Sequence, residues 1–254
     1  MEKYICENVF VPLRSAPSHK SEMLSQVLFG EKYTIHDCAG HWYKIKTCFD
    51  DYSGWIDIDH LHHSIDNDGS RGYVITRSLP CHKPDNTRLV LEPGCEIYYP
   101  DFEKKTFSVA GKTYTAGDEM NETIINNDLP FPDTAMRFLN SPYIWGGRIP
   151  SGIDCSGFTQ LVYKLHGIAI PRDSRQQAEK GETIGFLEES RAGDLAFFDN
   201  ERGTITHVGL ILARGLIIHS SGRVKIDIID QQGIFRRDIG KYSHHLRLIK
   251  RIAN

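Results

Sequence analysis

The chain has 254 residues, 40% apolar and 25% charged, which suits a globular protein of one large domain or two to three small ones. Thirty basic residues against 33 acidic ones leave a net charge of -3, so charge gives no reason to expect nucleic acid or an anionic membrane as a partner. The opening stretch MEKYICENVFVPLRSAP has no apolar run long enough for a signal-peptide core, and no segment approaches a membrane span.

As written, the chain therefore reads as cytoplasmic, with an exported protein whose leader was removed as the alternative. Its six cysteines, Cys6, Cys38, Cys48, Cys81, Cys95 and Cys155, form no CxxC pair. Six in a chain of this length do not make a disulfide framework, and a reducing compartment is the simpler reading. Five of them read as small buried apolar residues.

Residues 1–65 carry short segments rich in β-branched and aromatic residues: VFVPLRSAP, QVLFGEKYTIHDCAG, HWYKIKTC and DYSGWIDIDHL. Gly, Pro, Asp and Ser separate them, which predicts a small barrel of about five strands. Residues 66–127 repeat the style in GYVITRSLPCHKPD, TRLVLEPGCEIYYPD and KTFSVAGKTYTAG. They are expected to form a second copy of that barrel, or one larger β-domain with the first.

The character changes from residue 128 onward. Asp133 is a plausible N-cap for a helix from Thr134 to about Leu139, stopped by Pro142. Phe158, Leu161, Val162 and Leu165 recur at i, i+3, i+4 and i+7, which predicts an amphipathic helix over 155–166 with Gly167 at its C-terminal end. SRQQAEKGE suggests a short polar helix. DLAFFD, THVGLILA, GLIIHSSG, VKIDIID and HHLRLIKRI then read as strands in one antiparallel sheet. The expected fold of residues 128–254 is α+β, a helical block on a sheet. Trp145 reads as core packing.

Cys155 opens the 155–166 helix. The free N–H groups and partial positive charge of a helix N-terminus favour a thiolate, the reactive form of cysteine. A cysteine nucleophile needs a base, and the base needs an orienting group. His207 and His219 lie on consecutive strands, 12 residues apart. If their hairpin centres on Ala213, they face each other across the pair on one side of the sheet. His207 is then the base and His219 fixes its tautomer. The same three residues could also make a Cys-His-His zinc site, or simply be packed. Spacing alone leaves these readings open.

The text PYIWGGRIPSGIDCSGFTQLVYKLHGIAIPRDSRQQAEKG, followed by RAGDLAFFD and ITHVGLILARGLIIHSSG, resembles the NlpC/P60 family of cell-wall cysteine peptidases. The likeness covers roughly residues 130–254. The upstream part resembles bacterial SH3-like domains, most closely in HWYKIKTCFDDYSGWI with Trp42 and Trp55. Together these imply a papain-like domain over 128–254 preceded by SH3-like barrels over 1–65 and 66–127.

The whole plan is similar to γ-D-glutamyl-L-diamino acid endopeptidases, which cut peptidoglycan stem peptides between D-Glu and diaminopimelate or Lys. One subgroup requires a free N-terminal L-Ala on the muropeptide. The resemblance implies Cys155, His207 and His219 as catalytic residues, with no metal or other cofactor. It also implies Asp154, Ser156 and Ser174 as substrate-binding residues, with Tyr143 at the cleft mouth. Glu22 and Tyr52 from the first barrel are the best matches for residues that close the pocket. A carboxylate suits a substrate ammonium, and serine hydroxyls suit its carbonyls and carboxylate. The implied partner is a muropeptide and the implied state a monomer. An amidase or acyltransferase on the same fold, or a wall-binding protein, are the rival expectations.

Overall fold

The computed structural model describes residues 2–60, 63–65, 70, 72–124 and 129–252. The expected boundaries at 65/66 and 127/128 border residues outside this set. The chain separates into two compact units, Met1–Asn126 and Asn127–Asn254.

The first unit contains two antiparallel sheets. β1 (Lys3–Ile5), β2 (Phe10–Arg14), β3 (Met23–Leu28), β4 (Lys32–Ala39), β5 (Trp42–Thr47), β6 (Ser53–Asp57) and β7 (Ser64–Ile65) form a seven-stranded sheet in the order β3-β2-β6-β5-β4-β1-β7. Alternate residues of these strands turn inward, as the pleat requires. Val11, Leu13, Val27, Tyr33, Ile45 and Ile56 make its core, with Tyr52 packed against it. β8 (Tyr73–Val74), β9 (Leu79–His82), β10 (Arg88–Leu91), β11 (Glu96–Asp101), β12 (Thr106–Val109) and β13 (Lys112–Ala116) form the second sheet, and the short helix α1 (Met120–Thr123) follows. Phe29 links the two sheets edge-on to Tyr114 at 5.3 Å, and Tyr114 stacks on Phe107 at 5.2 Å. All three rings are buried.

The second unit opens with α2 (Phe131–Met136). It begins earlier than expected and is capped by Pro130 rather than Asp133. Pro132 lies in the first turn, where its missing N–H and fixed φ cost nothing, and this sets the helix start. The hairpin of β14 (Arg148–Ile149) and β15 (Gly152–Ile153) leads into α3 (Cys155–Leu165), and α4 (Ser174–Gln177) is one further turn. His166 caps α3, and Gly167 follows with φ +74°.

The apolar spacing of α3 suggests one buried face, yet every residue of the helix is buried. Its polar side chains are satisfied internally. Gln160 accepts from Arg148 Nε at 2.9 Å and donates to the Ile170 carbonyl at 3.0 Å, while Thr159 donates to Gln177 at 2.8 Å. Buried polar groups of this kind are tolerated because each finds a partner. Burial of Phe158, Leu161, Val162 and Leu165 adds about 1.5–3 kcal/mol each.

β16 (Glu182–Ile184), β17 (Leu195–Asp199), β18 (Ile205–Ala213), β19 (Leu216–Ser221), β20 (Arg223–Ile229), β21 (Gly233–Arg236) and β22 (Lys241–Arg251) form one antiparallel sheet in the order β16-β22-β17-β18-β19-β20-β21. β22 also pairs with β21, so six of the strands close on themselves. Ala196, Phe198, Ile211, Ile217, Ile229, Ile234 and Ile249 pack together inside. α3 packs against β18 and β19. The helical block followed by one sheet is the α+β order expected from the sequence.

Candidate active site

Asp154 precedes α3 and caps it, its Oδ1 accepting the Gly157 N–H at 2.7 Å. A Cβ at Gly157 would meet the Gly147 carbonyl oxygen at 2.1 Å, so only glycine lets the helix start approach the 146–148 loop. The Asp154 carboxylate is fully engaged. Gly146 N–H donates to Oδ2 at 2.8 Å, and Arg172 binds both oxygens, at 3.0 and 2.6 Å. Arg172 also donates to Ser156 Oγ at 2.8 Å, and Ser156 donates to Asp154 Oδ1 at 3.3 Å. Arg172 and Asp154 are both buried. The first turn of α3 is thus held by a buried ion pair.

Cys155, 7% exposed, sits on this turn. Burial pushes its thiol up to about 12, and the neighbouring Asp154 charge adds to that. The Val208 N–H, the Arg172 guanidinium and the Ser156 N–H oppose the rise without reversing it. The helix-terminus argument from sequence predicts a lowered thiol, and burial overrides it.

Val208 follows His207 on β18. His207 Nε2 lies 2.8 Å from His219 Nδ1, and His219 Nε2 lies 3.0 Å from Asp227 Oδ2 on β20. An ionised carboxylate only accepts, which sets the direction of the whole chain. His219 Nε2–H donates to Asp227, so His219 Nδ1 accepts from His207 Nε2–H. The remaining nitrogen of His207, Nδ1, keeps its lone pair and is the basic atom.

Burial lowers His207 well below the ordinary histidine range, and His219, His244 and Lys225 add to the effect. Burial lowers His219 too, against the raising influence of Asp227. Burial alone would raise Asp227, but hydrogen bonds from His219 and Lys225 keep it below the usual carboxylate value. Burial thus favours the uncharged form of Cys155 and of His207 alike.

The two histidines are not directly opposite, as the simple hairpin predicts. The ladder pairs Leu210 with Ile218, and a bulge lies between Ile211 and Ala213. That register sets Gly209 against His219, and a Cβ on Gly209 would lie 2.9 Å from the His219 Cβ. The histidines meet diagonally, across the space a glycine leaves.

Tyr143 lies beside this cluster. Burial raises its phenol above the usual range, with the charges of Cys155 and Asp154 contributing. Its backbone N–H donates to the Gly222 carbonyl at 3.1 Å. Ser174 opens α4, half-buried. Glu22 and Tyr52 belong to the first unit. Glu22 is exposed and its carbonyl accepts the Ser15 N–H at 3.0 Å, while Tyr52 is half-buried with its N–H on Thr47 Oγ1 at 3.0 Å.

Trp145, expected in the core, is 59% exposed. All six cysteines are free thiols, and Cys38 and Cys48 are exposed rather than buried. Arg172 and Asp227 are absent from the sequence-based set. A carboxylate flanking a buried cysteine demands a cation, which points toward an arginine, but its position in the chain carries no signal. Among the described residues, no group of three or more His, Cys, Asp or Glu side chains is arranged to hold a metal ion.

A cysteine at a helix start that meets the N–H of Val208, the residue after a strand imidazole itself oriented by a second imidazole, suits a cysteine hydrolase. The comparisons narrow the class. Residues 140–241 match the NlpC/P60 family, and residues 13–61 match the bacterial dipeptidyl-peptidase Sh3 domain. The chain thus carries an NlpC/P60 cysteine peptidase domain, with a bacterial SH3 domain ahead of it.

It is 29% identical over 229 residues to the gamma-D-glutamyl-L-lysine dipeptidyl-peptidase of Bacillus cereus, covering 80% of this chain and 68% of that one. The Bacillus subtilis protein of the same name is 27% identical over 227 residues, with 77% and 71% covered. The crystal structure of an NlpC/P60 family protein from Bacillus cereus superposes with a TM-score of 0.82 at 22% identity. That match covers 98% of this chain and 99% of the other and shows a shared fold.

Proposed function

We propose that this protein hydrolyses the γ-D-glutamyl bond to an L-diamino acid in peptidoglycan stem peptides. The favoured substrates are free muropeptides with an N-terminal L-Ala. The observation that carries the reading is the buried chain His207–His219–Asp227, which ends at the strand position beside Cys155. Relatives over most of the chain that bear the name gamma-D-glutamyl-L-lysine dipeptidyl-peptidase support the substrate class.

In this mechanism Cys155 Sγ gives its proton to His207 Nδ1 as the sulfur attacks the amide carbonyl carbon. The oxyanion is met by the backbone N–H of Cys155, which has no acceptor within the helix. His207 then passes the proton to the leaving amine, and the C–N bond breaks. Water, deprotonated by His207, cleaves the thioester and restores the thiol.

The positive charge on His207 during attack is stabilised by its hydrogen bond to His219 and, behind that, by the Asp227 carboxylate. Asp154, saturated by Arg172, Gly146 and Gly157, sets the helix turn that carries Cys155 and lends Ser156 its orientation. In the proposal, Ser156, Ser174 and Tyr143 bind the glutamyl residue. The two N-terminal sheets are taken as barrels over 1–65 and 66–127. Six free thiols suit the reducing cytoplasm as the site of action.

The test is release of L-Ala-γ-D-Glu from purified tripeptides carrying either diaminopimelate or Lys, with free and acetylated N-termini. Release from the free peptides, lost in Cys155→Ala, is expected. Absence of release from every stem peptide would refute the reading, and equal rates on acetylated peptides would refute the preference for a free N-terminus.

A further inference from the structure

We propose that His244 is a positioning residue for the reaction: stacked on His207, it holds that ring in line with His219 and does so only while uncharged. The inference rests on the reading of His207 as the base.

The rings of His207 and His244 lie 4.1 Å apart with 24° between their planes. His207 otherwise meets Phe198 tilted at 5.8 Å and His219 edge-on at 5.0 Å. His219 fixes one nitrogen of the His207 ring by a hydrogen bond, which leaves rotation about that bond open. A near-parallel ring against its face removes that freedom.

Barrel closure supplies this ring. His244 lies on β22 and pairs with Ile234 of β21, and both β17 and β21 flank this stretch of β22. The inward neighbours Phe198 and Ile234 belong to the apolar cluster that fills the barrel. His244 is thus delivered to the catalytic chain from a strand more than thirty residues downstream of β18.

Charge decides whether the stack helps. When Cys155 gives up its proton, His207 becomes an imidazolium. A neutral ring against its face stabilises that cation through its π-electrons, whereas a second imidazolium would repel it. The groups that face His244 come from several strands: His207 from β18, His219 from β19, Lys225 and Asp227 from β20, and Arg236 from β21. Phe198 from β17 packs against it edge-on. On its own strand, Ser243 Oγ lies 2.8 Å from His244 Nδ1. The cations among these outweigh Asp227, and with burial, the largest cause, they bring His244 down to about 4. It stays neutral through the physiological range.

The experiment reads the pH dependence of Cys155 alkylation by iodoacetamide and the NMR tautomer state of His207. Neither readout needs a substrate. Alkylation is followed by peptide mass mapping at Cys155, because Cys38 and Cys48 are exposed. His244→Ala should slow Cys155 alkylation about tenfold near neutral pH and leave His207 in mixed tautomers. His244→Phe should restore a single tautomer and most of the rate, and should extend reactivity to lower pH because the new ring cannot charge.

Two results would overturn the proposal. One is a His244→Ala protein with rate and tautomer within about twofold of the parent. The other is a His244→Phe protein no better than His244→Ala with an unmoved acid limb. If His207→Ala leaves the parent alkylation profile unchanged, the assignment of the base itself falls, and that outcome is separable from any effect of His244.

Discussion

His207 Nε2 and His219 Nδ1 are 2.8 Å apart although the ladder sets His219 against Gly209, two residues along the strand from His207. The diagonal contact exists because nothing projects from position 209. His219 can then lean along the strand toward His207 while its other nitrogen holds Asp227 at 3.0 Å.

The first prediction concerns that vacancy. A Cβ at 209 would lie 2.7 Å from Ile217 Cδ1 and 2.9 Å from the His219 Cβ, both inside van der Waals contact. Gly209→Ala is expected to destabilise the fold by about 1–3 kcal/mol through overpacking. It should also lower kcat at least tenfold by displacing His219. Urea unfolding and steady-state kinetics check the two effects. Full activity with unchanged stability would show that the sheet relaxes around the methyl group.

Asp227 terminates the chain of donors. In Asp227→Asn the amide can present either oxygen or NH2 to His219 Nε2, so the tautomer of His219, and with it that of His207, is no longer imposed. The neutral amide also removes the charge that offsets the His207 imidazolium. The expected result is a fall in kcat of about 10–100-fold with KM little changed. This is milder than removing a carboxylate in direct contact with the base, because one imidazole intervenes. Kinetics across pH 5.5–9 provide the measurement. Unchanged kcat would reduce Asp227 to a partner of Lys225, whose Nζ lies 3.2 Å from it.

How much of this was visible in the chain depends on distance along it. α3 was legible because Phe158, Leu161, Val162 and Leu165 repeat at helical spacing, and the order of strands after it was legible from alternating apolar runs. The complete burial of α3 was not, since Arg148 and Gln177, which satisfy its polar faces, lie outside the helix and obey no periodicity with it. Cys155, His207 and His219 announce themselves by type and neighbours. Their register does not, because the bulge at Ile211–Ala213 shifts the pairing. Asp227 and His244 reach the same face only through strand pairing and the closure of β21 on β22, a tertiary event with no local sequence mark. Trp145 illustrates the reverse error. The indole reads as core, yet the loop that lets Gly146 donate to Asp154 leaves it exposed.

Acid should weaken the fold in a definite window. His207, His219 and His244 all have folded values below the ordinary 6.5, with burial the first cause in each. In the unfolded chain they take up protons as pH falls through about 6.5, while the folded state resists. Stability is thus fully present above 6.5 and declines as pH drops toward about 4, where His244 titrates in the folded state. Cys155 acts at the opposite end. Its folded value near 12 exceeds the unfolded 9.0, so its contribution is present below pH 9 and is lost as pH rises toward 12. Urea midpoints at pH 7.5, 6 and 5 check the acid arm, and substitution of His244 by Phe should flatten it. A midpoint that does not move between pH 7.5 and 5 would contradict the direction of all three shifts.

The last prediction separates the Asp154–Arg172 pair from the chemistry it supports. Both side chains are buried, and their two hydrogen bonds at 3.0 and 2.6 Å are the bidentate geometry that lets such a pair compensate its own desolvation. Arg172→Met removes the cation and strands a carboxylate beside Cys155. The expected cost is about 3–5 kcal/mol. Activity should fall as well, because the orphaned charge opposes formation of the thiolate it now faces directly.

Arg172→Met combined with Asp154→Asn removes both charges, and the asparagine can still cap α3 through its side-chain oxygen. The double variant should therefore recover about half or more of the lost stability, a coupling that a double-mutant cycle measures. Strictly additive losses would mean that the two residues act on the helix start independently. Recovery of stability without recovery of kcat would assign the remaining deficit to Ser156, which loses the Arg172 donor that holds its hydroxyl at 2.8 Å.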